Sequence, residues 1–230
     1  QCISAYLIKK SYLQHNQYRI EEIIDYIENY SISEINSNDY LELRIIGKGS
    51  LFTSLLVYHI TRGELYVIKK PNHQDIEIPK LIYRETTNYK KMNHPFVPRF
   101  YGIVKDSNYI VIEFIKGKTL DDDYIKKTTI NQKLTIIFEI MVIIKFLHDN
   151  KYIYRDLKPD NVMIDKNKRI ILIDFDRLIE NEENTEEIAQ TADINAYFND
   201  PEVNETRHFT YKSDIYSIGK MIEYLIGQEN

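Results

Sequence analysis

The sequence predicts a two-lobed α+β fold, in which a small antiparallel β lobe with one helix precedes a mainly helical larger lobe. Short β-type runs crowd residues 41–114, whereas helical patterns dominate after residue 117. The 230 residues are 43% hydrophobic and 28% charged, enough apolar chain for a substantial core. Strands followed by helices, in this order along the chain, are typical of α+β domains.

The smaller lobe is predicted to span residues 41–115. One helical pattern, at about residues 80–92, interrupts its β-type runs. The runs are rich in β-branched and aromatic residues, and they cover residues 41–46, 54–60, 64–69, 100–104 and 109–114.

Residues 1–40 are predicted to form a helical N-terminal extension of unknown role. Ile20, Ile23, Ile24 and Ile27 recur at the spacing of an amphipathic helix. Such a helix either packs on the main domain or binds a partner.

The larger lobe is predicted to span residues 116–230. Helical patterns cover residues 131–150 and 213–226, and two short β-type runs, 162–164 and 170–173, lie between them. The most apolar window, 134–147, is too short to cross a bilayer and contains Glu139 and Lys145. We therefore expect a buried helix there and no membrane insertion.

Charge and cysteine content exclude several classes of protein. The 30 Lys and Arg residues against 35 Asp and Glu residues leave a net charge of −5, so we expect no nucleic-acid partner. The single cysteine, Cys2, excludes an internal disulfide framework and favours a reducing compartment, so we expect a cytoplasmic protein. The oligomeric state stays open.

The densest group of chemically competent residues lies in Y-R-D-L-K-P-D-N, residues 154–161, and I-D-F-D, residues 173–176. Phosphoryl transfer from ATP requires a carboxylate that accepts a hydroxyl proton, a cation near the γ-phosphate and oxygen ligands for Mg²⁺. Asp156 fits the base and Lys158 the cation. Asn161 and Asp174 fit the metal ligands.

These segments resemble the catalytic loop and the metal-binding loop of the eukaryotic protein kinase family. Lysine two residues after Asp156 resembles the serine/threonine branch. The resemblance implies a protein kinase fold and Mg²⁺-dependent transfer of the γ-phosphate of ATP to a Ser/Thr hydroxyl of a protein substrate. It covers about residues 41–230, and it implies that the last helices of the larger lobe are missing from this sequence.

The same resemblance implies an ATP-binding set in the smaller lobe. Lys69, in a segment similar to V-A-I-K, would bind the α- and β-phosphates and pair with Glu85, sixteen residues later. Lys70 points to the opposite face because side chains alternate along a strand. Taken without the resemblance, a lysine and a glutamate at this separation would more often be solvated surface residues than an ion pair.

The remaining cofactor-binding residues surround the purine and the phosphates of ATP in this family. Ile46, Gly47 and Gly49 occupy the place of the phosphate-covering loop, although an ordinary hairpin turn is the alternative. Apolar contact with the purine is assigned to Val67 and Met163. Backbone hydrogen bonds to adenine are assigned to Glu113 and Ile115, with Ile112 just before them gating the back of the pocket.

Downstream, the segment D-P-E at residues 200–202 resembles A-P-E, and Asp214 resembles the aspartate that braces the catalytic loop. Thr185 and Thr191 lie in an expected activation loop, where Arg155 could bind an added phosphate. Unmodified loop threonines are the alternative.

Six positions depart from the family pattern: Tyr154 replaces His, Asp176 replaces Gly, Asp200 replaces Ala, Phe52 replaces the third loop glycine, Ser54 replaces the loop valine, and Asn195 or Ala196 replaces Thr. We expect Tyr154 to stack on Phe175 and Asp176 to strain the backbone. Two alternatives to an active protein kinase therefore stay open. One is a catalytically silent binding protein, and the other is a kinase of small molecules.

Overall fold

The computed structural model describes residues 33–49, 51–72, 78–92, 94–104, 107, 109–180, 197–206 and 208–227. These residues belong to two compact units, one within 33–116 and the other within 117–227. The amphipathic pattern of residues 20–27 and the two activation-loop threonines, Thr185 and Thr191, lie outside the described residues.

A six-stranded sheet forms most of the first unit. Its order is β1-β5-β6-β4-β3-β2, and all neighbours are antiparallel except β1 and β5. The strands are β1 Ser33–Ile35, β2 Tyr40–Lys48, β3 Phe52–His59, β4 Glu64–Pro71, β5 Phe100–Val104 and β6 Ile110–Glu113. One helix, α1 Ile78–Lys91, follows β4.

The expectation that the helical extension reaches residue 40 is wrong for its last residues. Ser33–Ile35 is a strand that pairs parallel to β5, and Ser37–Asp39 is a single 3-10 turn. The Asn36 side chain accepts a hydrogen bond from the Asn38 backbone N–H at 3.2 Å. This side-chain bond caps the start of the 3-10 turn, and Tyr40 then begins the extended strand β2.

One face of the sheet carries a buried apolar cluster. Side chains alternate along a strand, so Leu55 and Val57 of β3 point to the same side, where they meet Tyr66 and Ile68 of β4. Val104 and Val111 complete this buried cluster. The opposite side of β3 and β4 carries the polar residues Ser54 and Lys69, which face each other in the register.

The second unit contains the two longest helices of the described residues, α3 Ile130–Asp149 and α5 Tyr211–Ile226. Capping boxes start both: Thr129 with Gln132 in α3, and Thr210 with Ser213 in α5. The shorter elements are β7 Gly117–Thr119, α2 Asp122–Lys126, β8 Tyr152–Ile153, β9 Val162–Asp165, β10 Ile170–Leu172, β11 Ile179–Glu180 and α4 Pro201–Thr206.

Helix α3 is buried on one face only, contrary to the expectation of a buried helix. Ile136, Ile140, Ile143 and Leu147 are buried, whereas the side chains of Leu134, Phe138 and Met141 are exposed. Among the described residues, no helix has both the length and the apolar content needed to cross a bilayer.

Candidate active site

Lys69 and Glu85 form a buried ion pair in the first unit. Lys69 lies on β4 with 6% of its surface exposed, and Glu85, in the middle of α1, is fully buried. Lys70 is exposed and lies 5.5 Å from the centre of the Tyr109 ring, as alternation along the strand requires. A buried charge costs free energy unless an opposite charge lies beside it, so the Lys69 ammonium stays next to the Glu85 carboxylate.

The loop between β2 and β3 closes as a tight turn. The Gly49 N–H donates to the Phe52 carbonyl at 2.8 Å, and Gly47 lies opposite Ser54. Ile46 is exposed at an irregularity in the register between Ile45 and Gly47. This hydrogen bond is compatible with an ordinary hairpin turn, and the two glycines also precede β3 as the family pattern requires, so the role of G-x-G stays a prediction.

The segment after β6 holds the residues expected to meet adenine. Glu113 ends the strand; its N–H donates to the Arg99 carbonyl at 2.8 Å, and its carboxylate accepts from the Arg99 N–H at 3.1 Å. Ile115 is buried two residues later. Ile112 lies opposite Val67 of β4, and both side chains are buried, so the predicted purine-contacting valine and the predicted gating residue are neighbours.

The catalytic-loop residues come together in the second unit around the Asp156 carboxylate. Lys158 Nζ lies 2.8 Å from Asp156 Oδ2, and Asn161 Nδ2 donates to the same oxygen at 2.7 Å. A third contact, from Arg177 Nη1 at 3.5 Å, reaches Asp156 Oδ1. Asp156 is thus held by three donors and is itself buried.

Asn161 and Asp174 are linked through the backbone. Asn161 ends the 3-10 turn Pro159–Asn161, and its carbonyl accepts from the N–H of Ile173, the residue before Asp174, at 2.9 Å. The Asn161 amide also donates to the Asp156 carbonyl at 2.8 Å, so both bonds from Nδ2 go to Asp156. This orients Asn161 Oδ1 away from Asp156 and leaves an oxygen of the type that Mg²⁺ binds.

Strands β9 and β10 form the hairpin that connects these two residues. Met163 lies on β9 opposite Ile171 of β10 and Thr119 of β7. Asp174 lies two residues after the end of β10 and has φ 68°, a left-handed conformation that is costly for a non-glycine residue. Such strain persists only where the surroundings enforce it, here next to the predicted metal ligand Asn161.

Asp214 braces the catalytic loop from the first turn of α5. Its carboxylate accepts from the N–H groups of Tyr154 and Arg155, both at 2.9 Å, and contacts His148 Nε2 at 2.8 Å. Arg155 has φ 74°. The fully buried Asp214 therefore holds the backbone immediately before Asp156 in a conformation that it would otherwise avoid.

Comparison with known proteins identifies the family of this chain. A family profile described as protein kinase domain matches residues 40–230. The chain belongs to the protein kinase family. It is 30% identical over 231 residues to cAMP-dependent protein kinase type 3 of Saccharomyces cerevisiae, covering 96% of this chain and 53% of that protein.

Two further relatives are more distant or more partial. Serine/threonine-protein kinase pak-2 of Caenorhabditis elegans is 26% identical, over 84% of this chain and 37% of its own length. Serine/threonine-protein kinase CBK1 of Pneumocystis carinii is 30% identical, over 62% of this chain and 30% of its own length. The chain spans about half the length, or less, of these kinases. The predicted family and α+β kinase fold are confirmed.

Two of the departures from the kinase pattern, Tyr154 and Asp176, can be compared with the structure. Tyr154 meets Phe175 edge to face, with ring centres 5.6 Å apart and planes at 68°, and not in the stacked arrangement that we expected. Its hydroxyl donates to the Ile173 carbonyl, which requires this tilt. The strain expected at Asp176 is absent there: among described non-glycine residues, positive φ occurs at Asp174 and not at Asp176.

Sequence reasoning missed three residues of this kinase site. Arg177 contacts Asp156, His148 contacts Asp214, and Phe52 is buried against Lys69. Arg177 adjoins the D-F-D segment, so its position next to a metal-binding loop was a usable signal. His148 gave none, because its partner lies 66 residues away, and Phe52 stood out only as the replacement of the third loop glycine, which does not reveal a contact with Lys69, 17 residues later.

Proposed function

We propose that this chain is an active Mg²⁺-dependent protein kinase that transfers the γ-phosphate of ATP to a serine or threonine hydroxyl of a protein. The observation that carries the proposal is the Asp156 carboxylate, oriented by Lys158 and Asn161 on a backbone braced by Asp214. A buried carboxylate held by fixed donors is suited to accept a proton from a positioned hydroxyl.

In the proposed reaction, the substrate hydroxyl loses its proton to Asp156 as its oxygen bonds to the γ-phosphorus. The bond between the γ-phosphorus and the β,γ-bridging oxygen breaks, and ADP leaves. Lys158, 2.8 Å from Asp156, is placed to neutralise charge on the transferred phosphate. Lys69, oriented by Glu85, would bind the α- and β-phosphates.

Asn161 and Asp174 fit the predicted metal ligands. Mg²⁺ bound by them would neutralise charge on the phosphate oxygens of ATP. The amide oxygen of Asn161 and the carboxylate of Asp174 are hard oxygen donors. The backbone hydrogen bond from the Ile173 N–H to the Asn161 carbonyl links Asn161 to the residue before Asp174. We expect an Asp174→Asn variant to need more Mg²⁺ and to bind nucleotide more weakly.

The proposal also includes the ATP-binding roles that the sequence predicted for the remaining residues. Val67 and Met163 would supply apolar contact with the purine, and the backbones of Glu113 and Ile115 would supply hydrogen bonds to it, while Ile46 belongs to the phosphate-covering loop. Gly47 and Gly49 let the chain approach the phosphates. Residues 41–115 would then form the ATP-binding lobe and residues 116–230 the catalytic lobe.

Serine/threonine specificity is the finer part of the proposal. Lysine at position 158 supports it, as do two relatives that are named serine/threonine-protein kinases. A protein substrate is favoured over a small molecule by the D-L-K-P-x-N and D-P-E segments, which resemble protein-directed kinases.

A catalytically silent nucleotide-binding protein is the second candidate function, because the Phe52 ring lies against Lys69. One experiment separates the two. The purified chain is incubated with γ-³²P-ATP, Mg²⁺ and a generic protein substrate, and its melting temperature is measured with ATP alone. Label on phosphoserine or phosphothreonine supports the proposal. Thermal stabilisation by ATP without transfer supports the silent protein, and label on phosphotyrosine contradicts the specificity.

A further inference from the structure

An aromatic ring covers the ammonium group of Lys69. Phe52, at the start of β3, has 5% of its surface exposed, and its ring centre lies 5.2 Å from Lys69 Nζ. At this distance a lysine is attracted electrostatically to the face of a ring. The Lys69 cation thus has an aromatic neighbour besides its carboxylate partner Glu85.

The sheet register explains why Phe52 reaches Lys69. Ser54 of β3 lies directly opposite Lys69 of β4, so the two side chains share a face of the sheet. Phe52 precedes Ser54 by two residues and therefore points to that same face. Leu55 and Val57 point to the other face, into the apolar cluster. Phe52 is accordingly outside that cluster and lies on the side of the proposed phosphate-binding lysine.

Asn72 fastens the turn that carries Phe52. Its N–H donates to the Leu51 carbonyl at 2.9 Å, its side-chain amide donates to the Gly49 carbonyl at 2.7 Å, and its Oδ1 accepts from Thr53 Oγ1 at 2.6 Å. The Gly49 N–H is used by the Phe52 carbonyl. Bonds on both sides of Phe52 therefore hold the backbone that positions the ring.

We propose that Phe52 is a gate for the phosphates of the nucleotide: its ring must leave Lys69 before a phosphate can bind there. This inference rests on the proposed function of Lys69. A phosphate oxygen needs direct approach to the ammonium, and the ring occupies part of that approach. Binding of a nucleoside, which carries no phosphate, does not require the movement. Phe52 is thus a residue that sets how strongly the chain distinguishes nucleotide from nucleoside.

The test compares ADP with adenosine on the whole 230-residue chain. Titration calorimetry in EDTA measures both dissociation constants for the parent and for Phe52→Gly, Phe52→Leu and Phe52→Tyr. EDTA removes divalent metal, so that protein cations carry the phosphate interaction. Glycine removes the side chain but also frees the backbone. Leucine removes the ring and keeps an ordinary backbone, and tyrosine keeps the ring as the matched control.

The gate predicts that the preference for ADP over adenosine rises about 2- to 30-fold in Phe52→Leu and Phe52→Gly, the range that loss of a cation–π contact covers. Phe52→Tyr should stay within twofold of the parent. A preference that is unchanged in Phe52→Leu, or raised in Phe52→Gly alone, would overturn the gate. If neither the parent nor any variant binds adenosine or ADP, whether in EDTA or with Mg²⁺ present, the proposed function fails along with the gate.

Discussion

Removing the carboxylate of Asp214 should loosen the catalytic loop by an amount that the structure allows us to work out. Asp214→Ala leaves the buried N–H groups of Tyr154 and Arg155 without their acceptor. Each unsatisfied buried donor costs about 1–3 kcal/mol, so we expect a loss of about 2–6 kcal/mol. Asp214→Asn keeps one acceptor oxygen and should lose about 1–3 kcal/mol. Either loss is large beside a total stability of roughly 5–15 kcal/mol.

The same substitution should slow catalysis in the molecules that remain folded. Arg155 at φ 74° is held by the bond to Asp214, so its release should displace the adjoining Asp156. Urea unfolding measures the stability, and the phosphate-transfer rate per folded molecule measures the second effect. Ser217→Ala is the matched control. It lies on the same helix and is also buried, but its hydroxyl donates to the carbonyls of Phe198 and Ser213.

Ser217→Ala should lower stability while leaving the rate per folded molecule near that of the parent. Asp214→Asn should lower both. If Asp214→Asn unfolds at the parent's urea concentration and transfers phosphate within threefold of the parent's rate, Asp214 does not hold the loop and the reasoning is refuted.

Three other results are expected. Burial lowers the pKa of His94 from 6.5 to about 4. As the pH falls from 6.5 to 4, the unfolded chain therefore binds a proton at His94 before the folded chain does, and the free energy of unfolding should fall by up to about 3 kcal/mol. His94→Asn should flatten that part of a urea-derived stability curve, and an unchanged curve would contradict the assignment. Glu85→Ala removes the carboxylate that pairs with the buried Lys69 and should lower the free energy of unfolding, measured in urea, by about 3–5 kcal/mol. Adding Lys69→Met should restore part of that stability, and no restoration would argue against the ion pair. Asp176→Asn and Asp176→Gly should shift the Mg²⁺ concentration for half-maximal rate equally, because Asp176 does not have the positive φ that would favour glycine. A shift in the glycine variant alone would contradict this expectation.

The sequence predicted best those strands whose residues alternate in polarity and whose inward side chains lie in the core. Phe100–Val104 was predicted to the residue, since its inward side chains alternate with less buried ones. The strand Ser33–Ile35 could not be predicted, because three residues carry no periodicity and its partner Gly102 lies far along the chain. Pairing of this kind is decided by tertiary contacts and not by local preference.

The candidate site divides in the same way. Asp156, Lys158 and Asn161 fall within six residues, so a short motif sufficed to find them. The burial of Phe52 depends on the register of β3 against β4 and on Asn72, none of which a motif contains. The strain assigned to Asp176 belongs to Asp174, because backbone dihedrals follow from the loop as a whole and not from the glycine that a family pattern leads one to expect.

The Asp156→Asn variant tests the proposed phosphate transfer most directly. Asparagine is nearly isosteric and can keep a contact with Asn161, but it cannot accept the hydroxyl proton. Transfer of ³²P from γ-³²P-ATP in a single turnover, measured beside the dissociation constant for ATP, separates chemistry from binding. We predict a rate about 10²- to 10⁴-fold below the parent's, with ATP affinity nearly unchanged. Transfer within threefold of the parent's rate would contradict the assignment of Asp156 as the base.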